Sequence, residues 1–320
     1  MTKTMDPELA AALDLRSGAL VAEIDLNDIP LTRQTLEEFA KAQVANGASV
    51  EGVTSVDRHL PSADGAPDVF VRIYEPTERP ATLPILVWMH GGGFVLGSVE
   101  RDDQLARHLS KVAQCVVVSV EYRLAPEHPA PAPLSDCYTA LKWVAVNCDE
   151  LGADRGKIAI GGASAGAGLA ACLALFARDQ GEVDLHFQLL VYPMLDDRNI
   201  APAGPNHPDT HVWSRESNRL GWTAYLGHEP GGATVSPYAA AARASDLAGL
   251  PPAYISVGDL DLFLDENVHY AQRLLASDVP TELHVYPGAF HGFNGRVPNA
   301  EISRRFNRDR DEVLKRMLHR

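Results

Sequence analysis

Short apolar runs recur along the chain, and each is followed by a turn rich in glycine or polar residues and then by a longer helical segment. Their hydrophobicity is continuous rather than alternating, which is typical of parallel strands covered by helices on both faces. Segments such as 136–146 and 165–178 supply the helices. The pattern predicts an α/β protein with a mostly parallel, doubly wound sheet. The runs occupy residues 84–89, 115–120, 157–160, 187–192, 253–257 and 282–286.

The region before these runs has a different pattern of apolar and polar residues. Apolar residues at helical spacing predict two helices in the first fifty residues, separated by Pro30. Residues 69–74 then alternate in polarity as a strand does, and this predicted strand ends at Pro76. The residues at helical spacing are Leu9, Leu13 and Leu20, followed by Leu31, Leu36, Phe39 and Ala40.

Residues 196–237 interrupt the alternation of strands and helices. They contain several prolines and glycines and then a short amphipathic piece at 215–226, as an insertion between two sheet strands would. This insertion and the N-terminal helices are either separate surface decorations or parts of one cap. We predict an N-terminal part of a cap at 1–50, a catalytic α/β domain formed by 51–195 and 238–320, and a cap insertion at 196–237.

Composition narrows the classes of partner. The chain has 320 residues, 46% of them hydrophobic, and a formal net charge of −14, which fits one large globular α/β unit with an elaboration. An acidic protein lacks the basic face that nucleic acid or an anionic membrane requires, so we expect neither as a partner. Four cysteines without a Cys-x-x-Cys pair are expected to be reduced, structural thiols: Cys115, Cys137, Cys148 and Cys172.

The sequence gives little indication of a membrane-spanning segment or a signal peptide. No apolar run approaches the roughly 20 residues that span a bilayer. The first twenty residues contain acidic side chains where a signal peptide requires a basic start. We therefore expect a cytoplasmic protein without stable membrane insertion, and the sequence leaves open a homodimer.

A candidate nucleophile lies between a predicted strand and a predicted helix. The segment Gly162-Ala163-Ser164-Ala165-Gly166 has the Gly-x-Ser-x-Gly pattern of a nucleophile elbow, in which a serine occupies a sharp, strained turn. Glycines two positions away on either side avoid a collision there. The turn also places the backbone N–H of Ala165 at a helix N-terminus, where negative charge is stabilised.

Two nucleotide-binding interpretations of this segment are weaker. Residues 161–166 have the glycine spacing of a phosphate-binding loop, but Ala167 stands where the loop needs lysine. Residues 166–171 match a dinucleotide fingerprint, but they would lie inside the helix. We also find no His-Glu-x-x-His pattern and no Cys/His ligand set, so the sequence predicts no metal and no cofactor.

A glycine triplet follows the first buried strand, in His90-Gly91-Gly92-Gly93-Phe94. Consecutive glycines expose backbone N–H groups, which suits stabilisation of the oxyanion that forms when a serine attacks an ester. The alternative is a merely flexible turn. His90 itself is expected to support the loop and not to transfer protons.

A catalytic acid and base should follow the serine in the order Asp or Glu and then His, each at the carboxyl end of a strand. Asp261 follows the run 253–257, and His291 follows the run 282–286. Asp259 and Asp265 compete for the role of the acid, although Asp265 is expected to cap the next helix.

Together these motifs resemble the bacterial hormone-sensitive-lipase-type (family IV) esterases, a branch of the α/β-hydrolase fold. The resemblance covers nearly the whole chain and rests on five motifs in the family's order. They are His90–Phe94, the segment 122–129 with Asp136, Gly162–Gly166, Asp261 with Asp265 and Glu266, and His291–Phe293.

The resemblance implies a serine carboxylesterase for small esters with short acyl chains, acting through an acyl-enzyme. It implies a Ser164, Asp261 and His291 triad. The implied oxyanion hole has the N–H groups of Gly92, Gly93 and Ala165 as donors, with Gly91 shaping the loop. The family commonly has Asp or Thr where this chain has Ala163, which leaves the hydrogen bonding behind the serine open.

Aromatic residues near the predicted cap could contact the substrate, although packing between cap and core is the alternative. Two other functions stay open: a deacetylase or amidase acting on drug-like or aryl esters or amides, and a non-catalytic small-molecule-binding module. All three triad residues are present, which argues against the binding module. The aromatic candidates for substrate contact are Phe94, Trp213 and Trp222.

Overall fold

A computed structural model describes residues 4–15, 24–46, 50–62, 65–79, 82–202 and 210–320. Eight strands form one sheet in the order β1-β2-β4-β3-β5-β6-β7-β8. The pairings of β2 with β1 and β4 are antiparallel, and all others are parallel. The strands are β1 (Val53–Leu60), β2 (Val69–Pro76), β3 (Leu83–Met89), β4 (Val116–Glu121), β5 (Ala153–Ala163), β6 (Phe187–Val191), β7 (Ala253–Gly258) and β8 (Thr281–Tyr286).

Helices cover both faces of the sheet, so the predicted mostly parallel, doubly wound α/β architecture is confirmed. The α-helices in the described residues are α1 (Pro7–Leu15), α2 (Ile29–Asn46), α3 (Asp103–Ala113), α4 (Ala132–Val146), α5 (Ala165–Gln180), α6 (Arg215–Leu226), α7 (Leu264–Ala276), α8 (Phe293–Arg296) and α9 (Glu301–Leu318).

The central strands are buried on both faces, which explains their continuous hydrophobicity. In β3, Ile85 and Val87 belong to the core on one side of the sheet. Leu86 and Trp88 belong to the core on the other side. A polar residue at any of these positions would lose its hydration without gaining a partner. The sequence of β3 therefore shows no alternation between apolar and polar residues.

Three details differ from the sequence-based expectations. Pro30 lies in the first turn of α2 rather than between two helices, since an N–H group is not needed there. Asp265 also lies within a first turn, that of α7, whose N-cap residue is Phe263, so the predicted capping role is wrong. Leu20 and the side chains of Phe39 and Ala40 lie outside the described residues.

Contacts connect the N-terminal segment to the insertion. The backbone N–H of Ile24 donates to the oxygen of Val212 at 3.2 Å. The hydroxyl of Ser217 donates to the backbone oxygen of Ile24 at 2.5 Å. We use the word cap for the described residues of 1–50 and 196–237. The boundaries of the predicted domains stay a prediction.

Arg33 of α2 attaches the cap to the loop that follows β3. Its Nε donates to the backbone oxygen of Val95 at 2.7 Å, and its Nη2 donates to that of Ala125 at 2.7 Å. The guanidinium also makes two 2.9 Å bonds to the carboxylate of Glu127, and it lowers the pKa of that carboxyl. One side chain thus links α2 to the segments that follow β3 and β4.

We expect Arg33→Met to lower the free energy of unfolding by about 1–3 kcal/mol, because it removes charge-assisted hydrogen bonds to two carbonyl groups. Urea denaturation measures this change. Glu127→Gln is the matched control: it removes only an ion pair whose carboxylate is half exposed, so it should cost less than about 1 kcal/mol. Equal losses in the two variants would contradict the role of the carbonyl contacts.

Two further expectations concern the cysteines and membrane-spanning segments. All four cysteines are buried and free, which confirms the expectation of reduced, structural thiols. In the described part of the chain, none of the helices combines the length and the apolar character needed to cross a membrane.

Candidate active site

Ser164 occupies a sharp turn between β5 and α5. Its backbone has φ = +56°, a conformation that side-chain-bearing residues rarely adopt. The chain passes so close to β3 here that a Cβ atom at Gly162 would lie 2.6 Å from the oxygen of Met89. A Cβ atom at Gly166 would lie 2.7 Å from the carbonyl carbon of the same residue. Both glycines of the elbow are therefore required by close packing, as the sequence predicted.

A chain of hydrogen bonds connects the serine to a histidine and an aspartate. The Oγ atom of Ser164 lies 2.9 Å from Nε2 of His291. The Nδ1 atom of His291 lies 2.8 Å from Oδ2 of Asp261. A carboxylate can only accept, so Nδ1 carries the proton and Nε2 is left to accept the proton of the hydroxyl group. All three side chains are buried, with 8%, 6% and 5% exposed for the serine, histidine and aspartate residues.

A backbone N–H group holds the carboxylate of Asp261 in place. Asp261 follows β7, and its Oδ1 accepts the N–H of Phe263 at 2.9 Å while Oδ2 faces the histidine. The competing Asp259 points elsewhere, since its Oδ1 accepts the N–H of Gly288 at 2.6 Å. Asp265 lies on α7, beyond the loop 259–263 that carries Asp261, which we call the acid loop. Among the three carboxylates that the sequence offered, Asp261 is the one hydrogen-bonded to His291.

Two aromatic rings that the sequence analysis missed pack against His291. Tyr192 and Phe263 present edge contacts, with centroids 4.8 and 5.1 Å from the imidazole centroid. The hydroxyl of Tyr192 donates to Oδ1 of Asn294 at 3.2 Å, and burial raises the pKa of this tyrosine. Tyr192 directly follows β6, so its place at a strand end was the available signal.

The glycine triplet lies beside Ser164. A Cβ atom at Gly91 would lie 3.5 Å from the Cβ atom of Ser164. His90 supports the loop from behind: its ring stacks on Tyr122 with centroids 4.2 Å apart. The hydroxyl of Tyr122 donates to the backbone oxygen of His90 at 2.7 Å.

The N–H groups of Gly92 and Gly93 donate no backbone hydrogen bond to any residue that the structure describes. Ala165 is the first residue of α5, and the N–H groups of a first helical turn have no partner within the helix. These groups lie on the segments next to Ser164: the glycine triplet beside it and the helix that begins after it. The arrangement can stabilise negative charge on an oxygen bound to a carbon under attack.

The three aromatic candidates for substrate contact are packed between cap and core. Phe94 stacks on Tyr225 with centroids 4.0 Å apart and lies 5.2 Å from the ring of Trp222. The ring of Trp213 lies against Gly93. Phe94, Trp213 and Trp222 are only 1%, 2% and 1% exposed. Their contact with a substrate stays a prediction.

No group of three or more His, Cys, Asp and Glu side chains placed to hold a metal ion occurs in the described ranges.

Comparison with known proteins defines the class. The model of a family described as alpha/beta hydrolase fold matches residues 86–295, which include the glycine triplet, the elbow, the acid loop and His291. That range is more than half of the chain, and this protein belongs to the alpha/beta hydrolase fold family.

Individual relatives narrow this class. Carboxylesterase NlhH of Mycobacterium tuberculosis is 40% identical over 233 residues, 72% of each chain. Esterase LipI of the same organism is 36% identical, and the match covers 91% of this chain and 88% of LipI. A solved structure named Bacterial Heroin Esterase superposes with a TM-score of 0.92 at 42% identity over 98% of both chains. These findings confirm the predicted resemblance to bacterial hormone-sensitive-lipase-type esterases and the predicted class of carboxylic ester hydrolase.

Proposed function

We propose that this chain is a serine carboxylesterase that hydrolyses small esters with short acyl chains through an acyl-enzyme intermediate. The observation that carries the proposal is the hydrogen-bonded series Ser164, His291 and Asp261 beside a glycine loop. A serine bonded to a histidine that is in turn bonded to a carboxylate supports nucleophile, base and orienting roles for these groups.

In the first half of the reaction, Oγ of Ser164 attacks the carbonyl carbon while Nε2 of His291 takes its proton. The N–H groups of Gly92, Gly93 and Ala165 receive the developing oxyanion. His291 then gives the proton to the departing alcohol, and the acyl group stays on the serine. Asp261 holds the imidazolium in the orientation that both transfers need.

In the second half, water attacks the acyl-enzyme. His291 takes a proton from the water, the hydroxide adds to the acyl carbon, and the same N–H groups receive the second oxyanion. Collapse of this intermediate returns the proton to Ser164 and releases the carboxylic acid. The enzyme regains its starting protonation state, so no further reactant is consumed.

Burial supports the preference for small substrates. The Ser164 residue is 8% exposed and His291 is 6% exposed. Buried aromatic side chains, among them Trp213 and Trp222, already fill space between cap and core. A long acyl chain would have to displace more of these well-packed groups than an acetyl or butyryl group would.

A second candidate is the hydrolysis of aryl or drug-like esters. It is favoured by the 98% coverage and 42% identity to the structure named Bacterial Heroin Esterase. The two candidates share the same chemistry and differ in the alcohol part of the substrate.

Rates on a series of p-nitrophenyl esters test the acyl preference. We expect kcat/KM to be highest for acetate or butyrate and at least about tenfold lower for octanoate, a difference of about 1.4 kcal/mol in transition-state stabilisation. Comparing phenyl acetate with ethyl acetate and acetanilide then separates aryl ester, alkyl ester and amide hydrolysis. A maximum at octanoate or longer would contradict the short-chain proposal.

A further inference from the structure

The indole of Trp213 lies directly against the oxyanion loop. A Cβ atom on Gly93 would lie 2.7 Å from Cζ2 and 3.0 Å from Cζ3 of this ring, so no side chain fits between them. Gly93 also has φ = +61°. The ring therefore bounds the position of the Gly93 backbone from the cap side, and any shift of the ring gives the loop room to move.

Asn218 fixes the orientation of that indole. Nε1 of Trp213 donates to Oδ1 of Asn218 at 3.0 Å. Nδ2 of Asn218 donates in turn to the backbone oxygen of Asn199 at 2.8 Å. An indole N–H can only donate and a carbonyl can only accept, so the amide has one orientation that satisfies both. Asn218 is fully buried, which makes an unsatisfied partner costly.

The hydrogen bonds continue to the other side of the active site. Nδ2 of Asn199 donates to the backbone oxygen of Leu262, the residue after the acid, at 3.1 Å. The same group donates to Oε2 of Glu266 at 2.9 Å. Glu266 also accepts the N–H of Leu195 at 2.7 Å. One series of polar contacts thus runs from the acid loop through the cap to the ring beside Gly93.

Helix α6 packs against both Gly93 and the indole of Trp213. A Cβ atom on Gly221 of α6 would lie 3.2 Å from the oxygen of Gly93 and 3.2 Å from Cζ2 of Trp213. The helix that carries Asn218 and the ring that it binds therefore pack on the loop together.

We propose that Asn218 is a positioning residue for ester hydrolysis, which acts through Trp213 to hold the Gly93 N–H where the oxyanion forms. The inference rests on the proposed function. An oxyanion exists in the transition state and not in the bound ester, so misplacing its donor lowers kcat and leaves KM nearly unchanged. Asn218 touches no reacting atom and has no other part in the reaction.

Two single variants and their combination test this role with p-nitrophenyl butyrate. Asn218→Leu has a similar volume and removes both amide contacts, and we expect kcat to fall about 10- to 100-fold with KM within about threefold. Trp213→Phe keeps a ring but loses the N–H, and we expect a similar fall in kcat. The double variant should lose little more than either single variant, because both changes break the same connection.

The control is Arg219→Ala, on the exposed side of the same helix, where the side chain pairs with Glu216 and Glu229. It should leave kcat and KM unchanged while reporting any effect of a weakened α6. All rates are measured well below the melting temperature of each variant.

Four outcomes overturn the inference. They are a kcat for Asn218→Leu within about twofold of wild type, a rise in KM alone, losses that add in the double variant, and an equal loss in Arg219→Ala. If Asn218→Leu does not fold, the kcat of Trp213→Phe decides: a fall with KM nearly unchanged supports the role, and an unchanged kcat refutes it. Failure of the proposed function itself is recognised separately, because wild type would then hydrolyse no ester.

Discussion

Replacing Ser164 by alanine is expected to lower kcat/KM for p-nitrophenyl acetate by about 10⁴- to 10⁶-fold, since loss of the serine nucleophile from a triad can cost on the order of 10⁶-fold. The Oγ atom of Ser164 is the group that forms the bond to the acyl carbon, and alanine offers no substitute. The remaining N–H groups of the oxyanion hole still polarise a bound ester, so a small residual rate is expected.

The fold of this variant should be preserved. Alanine has the same Cβ atom as serine and meets the same φ of +56°, so the strain of the elbow is unchanged. The loss is one hydrogen bond to His291, and the melting temperature should change by a few degrees at most. Unchanged circular dichroism together with the lost rate identifies a chemical defect.

Covalent labelling gives an independent measurement of the same change. A fluorophosphonate should add one adduct to the wild-type chain, located by mass spectrometry on Ser164, and none to Ser164→Ala. Comparable ester hydrolysis by both proteins, or labelling of a different serine in the wild type, would contradict the assignment of the nucleophile.

The central part of the fold could be predicted because its strands are buried on both faces. In β3 and β7 every residue is buried, so each strand appears in the sequence as a mainly apolar run, interrupted in β7 only by Ser256. Strand β1 could not be separated in this way, since six of its eight residues are exposed. It is held by antiparallel backbone pairing with the next strand, β2, and backbone hydrogen bonds leave no hydrophobic pattern in the sequence.

The parts of the site that lie on strand ends could also be predicted, since parallel strands bring their carboxyl ends to one edge of the sheet. Ser164, Asp261 and His291 each follow a strand, and they meet there. The contact between Trp213 and Gly93 could not be foreseen, because it depends on how α6 and the insertion pack on the sheet. The capping role given to Asp265 failed because α7 begins two residues earlier than that role requires, at Leu264 with Phe263 as its N-cap.

Asp261→Asn is expected to lower kcat by about 10⁴-fold while the geometry of the site stays intact. In the wild type, Oδ1 of Asp261 accepts the N–H of Phe263 and Oδ2 accepts the proton on Nδ1 of His291. An asparagine has one acceptor and one donor group at these two positions. If its oxygen keeps the contact with Phe263, its NH₂ group faces His291 and requires Nδ1 to become the acceptor. The proton then sits on Nε2, which can no longer accept the proton of Ser164.

Asp259→Asn is the matched control, two residues away on the same loop. Its Oδ1 accepts the N–H of Gly288, a bond that an asparagine oxygen can keep, so kcat should stay within about threefold of wild type. Steady-state rates with p-nitrophenyl acetate, measured beside the thermal stability of both variants, make the comparison. A larger loss in Asp259→Asn than in Asp261→Asn would move the acid of the triad to Asp259. Equal small losses would mean that His291 does not need a carboxylate to hold its tautomer.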